Sequence, residues 1–216
     1  MNDFDLIEDQ FIKLQCIYRD FIKINVFNDY VKTQNSIGVN SEKINYTNYI
    51  EIYKKMNEEN TYCIQMIDGS LICMYYKFDS GKNVIYHNLS FIPSYSTDIC
   101  FDEDDMIGDE FEYSENLDIN PTDFNRRLSN YIRIDFDDEG REEYYHALVH
   151  AHTGIFKDTV RFPINHYVTP FEFMYFIFKY LYREDDDLLD RLLFEFEREC
   201  KLTANERGKV WINFFE

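Results

Sequence analysis

Apolar residues near the N-terminus recur every three or four positions: Phe4, Ile7, Phe11, Leu14, Tyr18 and Phe21. That spacing lines all six on one stripe of a helix, with Asp3 as its expected cap. A stripe this regular suits either a partner seam or packing on the protein's own sheet, and the second use is the commoner. A second helix is expected to start after Ser41, with Glu42 in its first turn, carrying Ile44, Tyr49, Tyr53 and Met56. The pattern then changes to strands at 61–67, 71–78 and 84–92. Asp68-Gly69-Ser70 and Ser80-Gly81-Lys82-Asn83 punctuate them, so the three read as an antiparallel meander.

The stretch 101–118 has no such period and contains no Lys, Arg or His. It reads as a solvated loop, with a docking surface for a basic partner as the functional alternative. Its spacing does not match a calcium-binding EF-hand loop. A short helix is expected over 122–129. Tyr131 to Phe136 then alternates strictly and turns at Asp137-Asp138-Glu139-Gly140, and 142–152 returns as a hairpin. A short strand follows at 159–165. Thr169-Pro170-Phe171-Glu172 is a capping box with proline at the first helical position, opening an almost wholly apolar helix to about Tyr182. The acidic run from Glu184 starts another helix ending near Cys200, and 209–215 closes as a strand. The fold class is therefore α+β: one antiparallel sheet of about six to eight strands with helices mainly on one face. The expected organisation is a single domain over 1–216, with helices and meander in 1–100, the acidic loop in 101–120 and the second hairpin with its helices in 121–216.

Composition narrows the function. The formal net charge is −19, which disfavours passive binding of a polyanion such as nucleic acid. It fits solubility through charge, a basic protein partner or mimicry of a polyanion. Eighteen Tyr and twenty Phe against one Trp read as the bias of an AT-rich genome rather than as a stacking platform for bases. The five cysteines are scattered, odd in number and without a CxxC, as in a reduced cytoplasmic protein. Neither a signal peptide nor a transmembrane segment is expected. With seven glycines in all, no phosphate-binding glycine loop is present, and no serine or cysteine sits in a nucleophile signature.

Three of the five histidines, His146, His150 and His152, fall within seven residues. On a strand they share one face with Leu148, while Tyr145, Ala147, Val149 and Ala151 face the core. On the preceding strand Ile132, Ile134 and Phe136 form the apolar face, and Tyr131, Arg133 and Asp135 the polar one. A turn centred near Glu139 puts Asp135 opposite His146 and Tyr131 opposite His150, with Arg161 joining from the next strand. Three uses stay open. The imidazoles and Asp135 could hold a divalent metal that activates water. Arg133, Arg161 and the histidines could bind a phosphate or carboxylate. Or the set could be a cross-strand ion-pair network with no chemistry.

The ordered motifs Tyr131-x-Arg133-x-Asp135, His150-x-His152, Arg161-x-Pro163 and Thr169-Pro170-x-x-Phe173 resemble a bacterial family known only as a domain of unknown function. The resemblance implies no established activity or cofactor. It implies an accessory gene near mobile elements and phage-defence clusters. The leading expectation is thus an acidic accessory subunit of an antiphage or mobile-element system that binds a protein partner. The alternatives are a metal-dependent hydrolase or nuclease using His146, His150, His152 and Asp135, and a polyanion mimic built on 101–118.

Overall fold

A computed structural model of the chain describes residues 2–17, 21–25, 32–41, 48–94, 131–138, 148–154 and 160–182. The expected helices at 122–129 and from Glu184, the acidic stretch 101–118, the strand 209–215, and His146, Glu42 and Ile44 lie outside the described residues. The elements are α1 (Asp3–Ile17), β1 (Ile22–Asn25), β2 (Ser36–Gly38), α2 (Tyr49–Glu59), β3 (Ile64–Met66), β4 (Leu71–Phe78), β5 (Val84–Ile92), β6 (Ile132–Asp137), β7 (Val149–Thr153), β8 (Val160–Pro163) and α3 (Pro170–Phe176). A π-helical turn, Ile177–Tyr182, prolongs α3. Among the described residues no helix is long and apolar enough to cross a membrane.

All eight strands among the described residues belong to one antiparallel sheet in the order β1-β3-β4-β5-β6-β7-β8, with β2 also paired to β4. The fold is α+β. The meander β3–β4–β5 and the strand limits at 71–78 and 84–92 follow the sequence pattern. Two short strands, β1 and β2, have no alternating signal long enough to read. β2 ends at Gly38, whose φ is +100°, and a Cβ there would stand 1.9 Å from the Met74 carbonyl oxygen. Glycine is required at that crossing by both backbone conformation and space.

The N-terminus of α1 departs from expectation. Asn2, not Asp3, caps the helix: its Oδ1 accepts from the Asp5 backbone N–H at 2.9 Å. Asp3 instead accepts from the Val84 backbone N–H at 3.0 Å, tying the helix to the start of β5. The apolar stripe packs on the protein's own sheet: Phe4, Ile7, Phe11 and Leu14 are buried in the main core. Phe21 lies beyond the helix and meets Phe178 with ring centroids 4.9 Å apart.

The capping box at α3 is complete. Thr169 accepts from the Glu172 N–H, and Glu172 accepts from the Thr169 N–H at 2.7 Å. Gln10 of α1 accepts from the Phe171 N–H at 3.0 Å, so a third orphan amide of α3 is satisfied by a neighbouring helix. Burial of the Phe173, Met174 and Phe178 side chains anchors α3 in the same core as α1.

The alternation of the sheet separates two apolar clusters. Ile37, Ile72, Met74, Tyr76, Leu89, Phe91, Ile134, Phe136, Val149 and Ala151 join α1 and α3 in the main core. Leu71, Cys73, Ile92 and Tyr131 form a second cluster with Tyr49, Ile52, Tyr53 and Met56 of α2. Two helices thus share one face, and α2 covers one end of the other. Tyr49 and Tyr53 fasten α2 by donating to the Pro93 and Gly69 carbonyls. The rest of that second face carries polar side chains, and it holds the candidate site.

Candidate metal centre

Strand β6 alternates buried and half-buried positions over its whole length. Ile132, Ile134 and Phe136 enter the main core, which aims Arg133 and Asp135 at the opposite face. In the ladder with β7, Asp135 pairs with His150 and Arg133 with His152. The expected pairing of Asp135 with His146 is corrected by four residues along β7. The observed register centres the hairpin between positions 142 and 143, beyond the Asp137–Gly140 turn read from the sequence. Because a shift of four is even, every side chain stays on its expected face. Tyr131 is not opposite His150; its ring belongs to the apolar cluster under α2. Arg161 pairs with His152 in the β7–β8 ladder, and its side chain lies outside what the structure describes.

Asp135 is the hub. Its Oδ1 accepts from Asn88 Nδ2 at 2.7 Å, and its Oδ2 accepts from Arg133 Nε at 2.8 Å. His152 Nε2 stands 3.3 Å and His150 Nε2 3.8 Å from the same Oδ2. The two imidazole rings meet edge to face, centroids 4.7 Å apart. His150 and His152 are 2% and 5% exposed, whereas the Asp135 and Arg133 side chains keep 17% and 26%, so the site opens on the Asp135–Arg133 side. Burial by itself would raise the Asp135 carboxyl. Its hydrogen bonding with His152 and the charges of Arg133 and the two imidazoles outweigh that and hold it well below the usual carboxylate range. The carboxylate is therefore ionised across the physiological pH range.

The single valence on His152 Nε2 is contested. Arg133 Nη2 lies 3.1 Å away. A guanidinium only donates, so this contact needs the lone pair of a neutral imidazole protonated at Nδ1. A hydrogen bond from the same nitrogen to Asp135 would need a proton there instead. In the first of these tautomers, the lone pair that receives Arg133 is also the one a metal would take.

A shell of hydroxyl and amide groups supports the hub, and the sequence reading passed over it. Ser41 Oγ donates to Asn88 Oδ1 at 2.7 Å and lies 3.0 Å from Ser90 Oγ. With its carbonyl occupied by Ser41, Asn88 can only turn its NH₂ toward Asp135. The signal was present in β5, where Asn88 and Ser90 are polar at alternate positions, facing away from Leu89 and Phe91. Register puts Asn88 opposite Asp135 and Ser90 opposite Arg133.

Among the described residues, Asp135, His150 and His152 form a group that could hold a metal ion, one ligand atom from each within 4.8 Å of the others. A tetrahedral ion with bonds of about 2.1 Å needs ligand atoms about 3.4 Å apart. The observed separations to Oδ2, 3.3 and 3.8 Å, lie on either side of that value, and with all three atoms within 4.8 Å the ligands must draw together on an ion. Both imidazole nitrogens face Oδ2, which marks it as the ligand oxygen, and Asn88 on Oδ1 is the kind of outer support that orients a metal-binding carboxylate.

The chain belongs to a family of bare description, an uncharacterized conserved protein (DUF2290), which it matches over residues 15–214. No curated protein and no solved structure shows significant similarity to it.

Proposed function

We propose that this member of the DUF2290 family is a metal-dependent hydrolase whose divalent ion is held by Asp135, His150 and His152. The observation that carries the reading is the convergence of one carboxylate and two buried imidazoles within 4.8 Å on a face that opens beside Arg133. Three protein ligands leave coordination positions for water and substrate, the arrangement of catalytic rather than structural sites. The ion, when bound, would supply an activated water. Asp135 would hold it as a carboxylate that stays charged, and Asn88 would fix which oxygen it offers. Burial of both imidazoles keeps bulk water from the two nitrogen ligands. The test is hydrolysis of a panel of phosphate, carboxylic ester and amide substrates with zinc, manganese or magnesium added. Activity should require metal and vanish in His150→Ala/His152→Ala. Full activity in that double variant would remove the reading.

A second reading is an acidic accessory subunit of an antiphage or mobile-element system that works through a protein partner. The net charge of −19 favours it. Co-purification of the products of neighbouring genes tests it: a stoichiometric complex that survives His150→Ala/His152→Ala supports a docking role independent of the metal. Polyanion mimicry by 101–118 would appear instead as competition with DNA for a nucleic-acid-binding partner.

A further inference from the structure

The identity of the ligand follows from counting charge around Arg133. The Arg133 guanidinium neutralises Asp135, and its Nη2 stands 3.1 Å from His152 Nε2. A divalent ion on Asp135 Oδ2 and the two imidazoles takes both of these partners at once. Arg133 is then a mostly buried cation beside a metal, its side chain 26% exposed. Asp135 contributes one negative charge, Arg133 one positive and the ion two, so the occupied centre carries a net charge of about +2. Two positive charges in a partly water-excluded site require an anion.

We propose that the centre takes the dianionic phosphate group of a phosphomonoester, bridged between the metal and the guanidinium of Arg133. The inference rests on the metal reading above. The planar fork of arginine matches the oxygens of a tetrahedral oxyanion, which a lysine point charge does not. Arg133 also sits on the exposed side of the cluster, where a ligand enters. The net charge of −19 argues that this phosphate is a single terminal group and not part of a polynucleotide. The summed field repels a long polyanion that must lie along the surface. It acts weakly on one phosphate inside the site, because exposed charges more than about 8 Å away are largely screened at physiological salt. In the absence of metal Arg133 Nη2 crowds the same His152 nitrogen that a metal would take, so its removal should not weaken metal binding.

The experiment is titration calorimetry of the full chain loaded with zinc or cobalt, using inorganic phosphate and, separately, dimethyl phosphate, a monoanionic diester. Phosphate should bind the metal-loaded protein and bind the metal-free protein at least about tenfold less well. Dimethyl phosphate should bind the loaded protein about tenfold more weakly than phosphate. Arg133→Met should keep the metal, with equal or tighter affinity, and lose about tenfold or more in phosphate affinity. Arg133→Lys, which keeps the charge without the fork, should fall between the two and serves if the methionine variant does not fold. Equal binding of the two phosphates, or unchanged phosphate affinity in both Arg133 variants, overturns the phosphomonoester assignment and leaves the metal centre standing. Failure of wild-type protein to take up metal overturns the centre and the assignment together.

Discussion

Arg133 and His152 are neighbours across the β6–β7 ladder, and the guanidinium nitrogen Nη2 stands 3.1 Å from the imidazole Nε2. Arg133 reaches that point because its Nε is anchored on Asp135 two residues along the same strand. Asp135→Asn removes the counter-charge while keeping the shape, which leaves a half-buried guanidinium without its ion pair. We expect a loss of about 1–3 kcal/mol in stability, measured by urea denaturation of the metal-free protein. An Asp135→Asn protein as stable as wild type would mean that the network contributes nothing to folding.

His87 gives the clearest pH dependence. It lies on the other face of β5, fully buried between Tyr76 and Phe136, and its Nε2 accepts from the Val168 backbone N–H at 3.0 Å. Burial outweighs the attraction of Asp135 and lowers its pKa from 6.5 to about 3. The unfolded chain therefore binds a proton as pH falls through 6.5 while the folded one does not. Stability rises with pH across this window and is lost progressively on acidification from about 6.5 toward 3. His87→Gln keeps an acceptor for Val168 and should flatten that part of a stability–pH curve. The wild-type His87 ring should show no titration by NMR between pH 7 and pH 4.

Thr169 tests the capping box in isolation. Thr169→Ala removes the acceptor for the Glu172 N–H and should lower stability by about 1 kcal/mol, read from the denaturant midpoint. Thr169→Ser or Thr169→Asp should recover most of it, since either side chain can accept the same bond.

Gly38 has no room for a side chain. A Cβ would stand 1.9 Å from the Met74 carbonyl oxygen, and the φ of +100° strains any L side chain. Gly38→Ala should cost about 3 kcal/mol or more and loosen the β2–β4 pairing. Amide exchange of Val39, which donates to the Met74 carbonyl at 2.9 Å, is the local reporter.

Much of this architecture was legible in the sequence, for reasons that vary by element. β4 and β5 are long, apolar and bounded by turn chemistry, so their limits could be read. β1 and β2, with four and three residues, are too short to show a period. Their pairing is decided by β3 and β4, which no local pattern reveals. The polar face of the second hairpin was legible because alternation fixes faces. Its register was not, because the turn residues Asp137 to Gly140 place the hairpin centre earlier in the chain than the observed pairing does. The even shift preserved Arg133, Asp135, His150 and His152 as one group while replacing each pairing. Tyr131 lies on that same face, at the end that α2 covers, where it joins an apolar cluster that a strand pattern cannot foresee. Asn88 and Ser90 lie more than forty positions before Asp135 in the chain, and only the β5–β6 ladder brings them beside it.

The claim that Asp135, His150 and His152 form a metal centre is tested most directly by the metal content of untagged protein purified without chelator. Inductively coupled plasma mass spectrometry should find about one equivalent of zinc, manganese, iron or nickel, lost in His150→Ala/His152→Ala. Protein that carries none of these and takes up none from added zinc or manganese would contradict the account. So would equal metal content in the double variant.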